Sequence, residues 1–204
     1  MEPKDRILQG AEELFFKYGI KSITMDDIAK YLSISKKTIY QFYSHKNDVV
    51  ETLLKNKLHH EEAICKKMQS ESDNIIVEIF SIMKHMSTLF TRINPNLFYD
   101  LQKYYPKSWN DFKKFKEECI SKMVEDSLNT GIKQGLVRPD INTKIIATLR
   151  MAEMEMGFNS EIFSPNTFKM AEVQLASLDY FLHGICTIKG HKLINKYKEI
   201  IEED

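Results

Sequence analysis

An all-α fold of nine or ten helices is what this sequence predicts, and three observations predict it. The 204 residues include only 7 glycines and 5 prolines, roughly half the usual share, so chain-breaking turns are scarce. Apolar residues recur at steps of three and four over most of the chain, the period of a helix buried on one face. No stretch alternates convincingly in the two-residue rhythm of a strand.

Composition excludes several classes. Lys+Arg and Asp+Glu balance at 29 each, unlike a globally basic nucleic-acid coat or a highly charged disordered chain. Hydrophobic residues make up 43%, enough for a sizeable core in one or two domains. Cys65, Cys119 and Cys186 are an odd set without paired spacing, which argues against a secreted disulfide scaffold. Met1-Glu2-Pro3-Lys4-Asp5-Arg6 has no apolar signal core, and no run approaches the roughly 18 apolar residues of a membrane span. The expectation is a soluble, cytoplasmic protein.

The first helix is read from Ile7, Leu8, Ala11, Leu14, Phe15 and Tyr18, with Gly19 placed for a left-handed C-cap. Thr24-Met25-Asp26-Asp27 has the form of a capping box, Thr24 accepting from the amide three residues on. Ile28, Ala29 and Leu32 continue a short second helix, and Ser33-Ile34 breaks it. Ser35 caps a third helix from Lys36 to about Tyr43. A fourth starts at Ser44 or His45 and runs through Val49, Val50, Leu53, Leu54 and Leu58.

Two short helices joined by a tight turn, behind a supporting helix, are the layout of a helix-turn-helix module. Such a module needs a thin outward helix with donors at its start, to fit the major groove. Lys36, Lys37, Thr38 and Gln41 are polar here, while Ile39 faces inward. From Lys30 to Asn47 the cations are Lys30, Lys36, Lys37 and Lys46, with no Asp or Glu among them. Phosphate contact requires such a local excess, although lysines on short helices are also simply solvated.

Phe15, Gly19, Thr24, Ile28 and Ala29, then Ile34-Ser35-Lys36-Lys37-Thr38-Ile39-Tyr40-Gln41-Phe42-Tyr43, then Lys46, together resemble the TetR family of transcriptional regulators. The resemblance covers about the first quarter of the chain. It implies that Lys36, Lys37 and Gln41 meet base edges, Gln pairing with adenine and Lys with guanine. It also implies that Thr24, Thr38, Tyr40 and Lys46 hold the phosphate backbone. Three positions depart from the pattern. Ser33 stands where a turn glycine is usual, Phe42 where a His or Tyr is usual, and Tyr43 where a Phe or Val is buried. The Tyr43 hydroxyl therefore needs a partner or a route to the surface.

Beyond the head, helix-length segments are expected near 46–69, 74–92, 95–104, 107–134, 143–157 and 167–188, then a short tail helix after a break at Lys189-Gly190. The division expected is a helix-turn-helix domain over 1–46 and a ligand-binding and dimerisation domain over 47–204. Leu149, Ala152 and Met156 step at seam spacing, as do Ala171, Leu175, Leu178, Leu182 and Ile185. Ordinary core packing uses the same spacing. The resemblance implies a four-helix homodimer interface here, which lets two heads read a palindromic operator in double-stranded DNA.

Aromatic and methionine side chains crowd the middle helices. Phe80, Met83, Met86, Phe90, Tyr104, Tyr105, Trp109, Phe112 and Met123 are candidates to line an inducer cavity, joined by Met154. Such a stripe is often plain core, yet methionine suits adaptable binding surfaces. The resemblance places a small-molecule inducer in this region, and its chemistry here fits an apolar or amphipathic molecule.

His59-His60-Glu61-Glu62 lacks the one-turn ligand spacing of a helical zinc site, so no metal is expected. No phosphate loop, nucleophile elbow or catalytic carboxylate pair is visible, so neither a cofactor nor an enzyme is expected. The leading function is a homodimeric, ligand-responsive repressor. Alternatives are a helical small-molecule carrier or sensor with a vestigial head, and a regulator that docks a protein through its aromatic middle.

Overall fold

The structure is a computed structural model and describes residues 2–203. Its helices are α1 (Pro3–Tyr18), α2 (Met25–Tyr31), α3 (Lys36–Tyr40), α4 (Lys46–Glu71), α5 (Ile75–Arg92), α6 (Leu97–Tyr104), α7 (Pro106–Phe115), α8 (Ser121–Lys133), α9 (Thr143–Gly157), α10 (Met170–Ile185) and α11 (Ile188–Glu203). A π-helical turn, Lys116–Ile120, joins α7 to α8 without a break. The described residues thus form ten continuous helices and no strand beyond an isolated bridge between Val137 and Cys186. The fold is all-α.

Two compact units divide the chain. The first contains residues up to His60 together with Arg92–Lys114. Its core is built by Ile7, Ala11, Phe15, Ile28, Ile39 and Val49, joined by Leu101 and Tyr105 from far along the sequence. Pro3 opens α1, where its missing N–H costs nothing. Gly19 closes the helix at φ 82° and ψ 159°. This is a glycine conformation but not the left-handed cap expected, because ψ lies in the extended range. A side chain here would also crowd the Asp100 carboxylate, 3.1 Å from an added Cβ.

The second unit contains Glu61–Thr91 and the residues from Phe115 onward. Ile75, Ile76, Leu128, Val137, Leu182, Ile185 and Ile194 form its core. Side-chain caps set its helix starts. Asn74 accepts from the amides of Ile76 and Val77 at 3.0 and 3.1 Å, and Asn142 accepts from Ile145 at 3.1 Å.

The expected break at Lys189-Gly190 lies elsewhere. The chain turns at Cys186 and Thr187, and α11 runs on through Gly190 as a 16-residue helix rather than a short tail. Gly190 permits close approach instead of ending a helix. A Cβ there would stand 2.5 Å from the Leu136 carbonyl oxygen, so the glycine lets α11 lie against that backbone.

Candidate functional site

The head is organised by short-range hydrogen bonds. Asp27 donates its amide to Thr24 Oγ1 at 3.2 Å, while its carboxylate accepts from the Thr24 amide at 2.8 Å and hydroxyl at 2.6 Å. This reciprocal box starts α2. It also commits the single Thr24 hydroxyl proton to Asp27, so a phosphate contact by that group requires breaking this bond. Ser33 takes the turn at φ 53°, the left-handed conformation that glycine adopts without a Cβ penalty. Ser35 then accepts from the Thr38 amide at 3.1 Å and shares a 2.8 Å hydrogen bond with the Thr38 hydroxyl.

Helix α3 has only five residues, shorter than the segment to Tyr43 read from the sequence. Ile39 is its single buried anchor. Lys36, Lys37, Tyr40 and Gln41 are exposed. Lys36 forms an ion pair with Asp26 of α2. The run from Lys30 to Asn47, free of acids along the chain, is therefore partly neutralised in space. Phe42 is also exposed, whereas Tyr43 is 3% exposed and its hydroxyl finds no hydrogen-bond partner among the described residues. Burial pushes the Tyr43 pKa up to about 12.

Lys46 behaves differently from the lysines of α3. It is half-buried, donates from Nζ to the Ile20 carbonyl, and lies over the rings of Phe15 and Tyr105 at 5.7 and 5.9 Å. Burial lowers its pKa, opposed by Asp100 and Asp27. The ammonium is thus tied into the unit, and a phosphate would have to compete for it.

The second unit encloses a cavity of about 210 Å³. Met83, Met86, Phe90, Met123 and Met154 line it. Phe80 does not; it is buried and stacks on Tyr197 with centroids 6.0 Å apart. Tyr104, Tyr105, Trp109 and Phe112 belong to the first unit, which corrects their placement in a shared inducer cavity. Tyr105 joins that unit's core, Trp109 packs on it, and Phe112 meets Phe98 and Trp109. Tyr104 lies 4.8 Å under the Lys21 ammonium. An apolar stripe announces that a helix face is covered, not which neighbour covers it.

Comparisons with known proteins agree with this architecture. Residues 7–53 match the family described as bacterial regulatory proteins, tetR family. Over those residues the chain has the head of a tetR-family regulatory protein. An uncharacterised HTH-type transcriptional regulator of Bacillus subtilis, YvaF, is 26% identical over 182 residues, 88% of this chain and 94% of YvaF. A TetR-family regulator from Agrobacterium tumefaciens has the same fold, with TM-score 0.74 and 17% identity over 91% of this chain and 98% of its own. Thermus thermophilus FadR, a TetR-family repressor solved in complex with lauroyl-CoA, has TM-score 0.57 and 18% identity over 89% and 94%.

The seam residues separate into two groups. Leu149, Ala152 and Met156 are exposed on α9, in line with Ile145. On α10, Ala171, Leu182 and Ile185 are buried in the unit's own interior, and Ala171, Leu175 and Leu178 line the cavity. Ala171, Leu182 and Ile185 are thus occupied inside their own unit, while Leu175 and Leu178 are partly exposed beside the cavity. The exposed face of α10 is instead Ala176, Tyr180 and Gly184. Spacing of 4, 3, 4 describes packing on any helix and carries no address.

Sequence reasoning also missed the polar groups of the cavity. Glu78, Ser127, Arg150 and Gln174 are all buried and line it. Arg150 donates to Ser177 at 2.9 Å and pairs with Glu153 at 3.4 Å, and burial lowers its pKa. A charged residue on a helix ordinarily marks the solvent face, so nothing in the linear pattern set these apart. Among the described residues, no group of three His, Cys, Asp or Glu side chains is placed to hold a metal ion. No helix among them is long and apolar enough to cross a membrane.

Proposed function

We propose that this regulator acts as a homodimeric repressor, released from a palindromic operator by an apolar or amphipathic small molecule that enters the cavity. The observation that carries the reading is the presentation of α3: one buried Ile39 behind exposed Lys37, Tyr40 and Gln41. These side chains suit bases and phosphates in a major groove. One such head makes few contacts, whereas two on a twofold axis read half-sites about 34–36 Å apart or a multiple of it.

The exposed apolar faces of α9 and α10 support the dimer, because large apolar groups left in water mark interaction surfaces. The cavity in the second unit supports an effector, and the fold is shared with a repressor solved with an amphipathic ligand. Helix α4 begins with Lys46, Val49 and Val50 in the first unit and carries Glu61, Glu62 and Cys65 to the cavity wall. A ligand that prefers one setting of α4 and an operator that prefers another weaken each other equally. A release of ~100-fold needs about 2.7 kcal/mol of such coupling.

The test is a salt-dependent gel shift on the DNA flanking the protein's own gene. Wild-type protein retards a palindromic fragment, and Lys37→Ala with Gln41→Ala abolishes the shift while leaving the circular dichroism unchanged. Unchanged affinity in that double variant overturns the reading.

A further inference from the structure

Among the described residues, Glu78 is the charged group on the cavity wall with no Lys, Arg or His placed against it. It lies on α5, is 6% exposed, and lines the cavity. Its Oε1 accepts from the Ser127 hydroxyl and from Gln69 Nε2 at 3.3 Å. Among the described residues, no donor reaches Oε2 and no Lys, Arg or His pairs with the carboxylate.

The other charged wall residues each have a basic or acidic partner in reach. His85 Nε2 stands 2.6 Å from Glu61, and Lys66 Nζ 2.5 Å from Glu62. The Arg150 guanidinium has Glu153 at 3.4 Å, the Ser177 hydroxyl at 2.9 Å and the Phe181 ring at 5.5 Å. A carboxylate taken out of water without a partner is held at a cost that an incoming cation relieves. Burial accordingly raises the Glu78 pKa against its two hydrogen bonds.

The rest of the wall decides what kind of cation. Met83, Met86, Phe90, Phe115 and Met123 offer thioethers and rings, which accommodate alkyl or aryl groups and attract organic cations. Ca²⁺ and Mg²⁺ take about six or more oxygen ligands gathered around one point, and among the described residues no group of three His, Cys, Asp or Glu side chains is gathered in that way. We propose that the effector is a lipophilic organic cation, a protonated amine or quaternary ammonium on an apolar body, with its charge set against Glu78. This rests on the effector reading of the cavity given above.

The test is calorimetric titration of the full-length protein with decylamine, decanol and decanoate below their aggregation limits. All three share a tail and differ in head charge. Decylamine is expected to bind about tenfold more tightly than decanol, with decanoate weakest. Glu78→Gln is expected to bring decylamine down to decanol while leaving decanol unchanged, and preference for the amine is expected to fade as pH drops and Glu78 protonates. Decanoate binding equally well or better, or no preference among the three, overturns the cation while leaving the effector cavity standing. Binding of none of them overturns both. The wild-type comparison decides the matter even where Glu78→Gln fails to fold.

Discussion

Asp100 accepts the backbone N–H of Lys21 at 2.8 Å, a bond that spans 79 positions of sequence. The acceptor is buried, and the segment around it is fastened to the end of α1 by two further bonds. Asn94 donates its amide to the Phe16 carbonyl at 2.7 Å and its side chain to the Lys17 carbonyl at 3.1 Å. Residues after α5 therefore help to hold the helix that supports the reading head.

Removing that acceptor is expected to unfold the head more readily. Asp100→Ala leaves the Lys21 amide without its partner and takes a countercharge from Lys46, a loss of about 2 kcal/mol. Urea unfolding followed by circular dichroism measures it as a lower midpoint at unchanged slope.

Ser33 at φ 53° predicts a stabilising substitution. A residue with a Cβ is disfavoured there by about 1–2 kcal/mol, partly offset by the chain entropy that glycine loses on folding. Ser33→Gly is expected to raise stability by about 0.5 kcal/mol, and Ser33→Val to lower it, since a β-branched residue fits this conformation worse. Thermal unfolding of the two variants separates these outcomes.

Tyr43 buries a hydroxyl without a protein partner, so Tyr43→Phe is expected to stabilise the fold by about 1 kcal/mol. The pH dependence has a definite sign. The folded-state pKa is raised from 10.0 to about 12, so the protonated form is favoured in the native state. That contribution is complete below pH 10 and is lost as pH rises toward 12. Alkaline titration of stability shows this loss in the wild type and its absence in Tyr43→Phe.

Lys37 and Lys46 are expected to fail in different ways. Lys37 is exposed on α3, so Lys37→Ala lowers the slope of log affinity against log salt by about 0.9 without changing stability. Lys46 is half-buried on the Ile20 carbonyl, so Lys46→Ala weakens folding of the head as well. Operator titrations at several salt concentrations, paired with urea melts, tell the two apart.

The faces of α9 and α10 make a contrast that tests the proposed dimer. Leu149 is 53% exposed and Tyr180 79% exposed, whereas Leu182 is 1% exposed. Leu149→Glu with Tyr180→Asp is expected to give a folded monomer by light scattering. Leu182→Ala is expected to lower stability by about 3 kcal/mol through a core cavity, at unchanged oligomeric state.

What could be read from the linear chain is what neighbouring residues settle among themselves. The Thr24 and Asp27 box, the Ser35 cap and the inward Ile39 each depend on groups within about one helical turn, so spacing and side-chain chemistry suffice to place them. The all-α class follows from the same local rules. Folding alone assigned the partners of each face. Asp100 met Lys21, Leu182 and Ile185 turned into their own unit while Leu149 stayed in water, and Gly190 served contact with the Leu136 carbonyl rather than helix termination. Glu78 looked like an ordinary surface acid until Ser127 and Gln69 closed over it. Which faces meet depends on burial summed over segments dozens of residues apart, and helical period is blind to that sum.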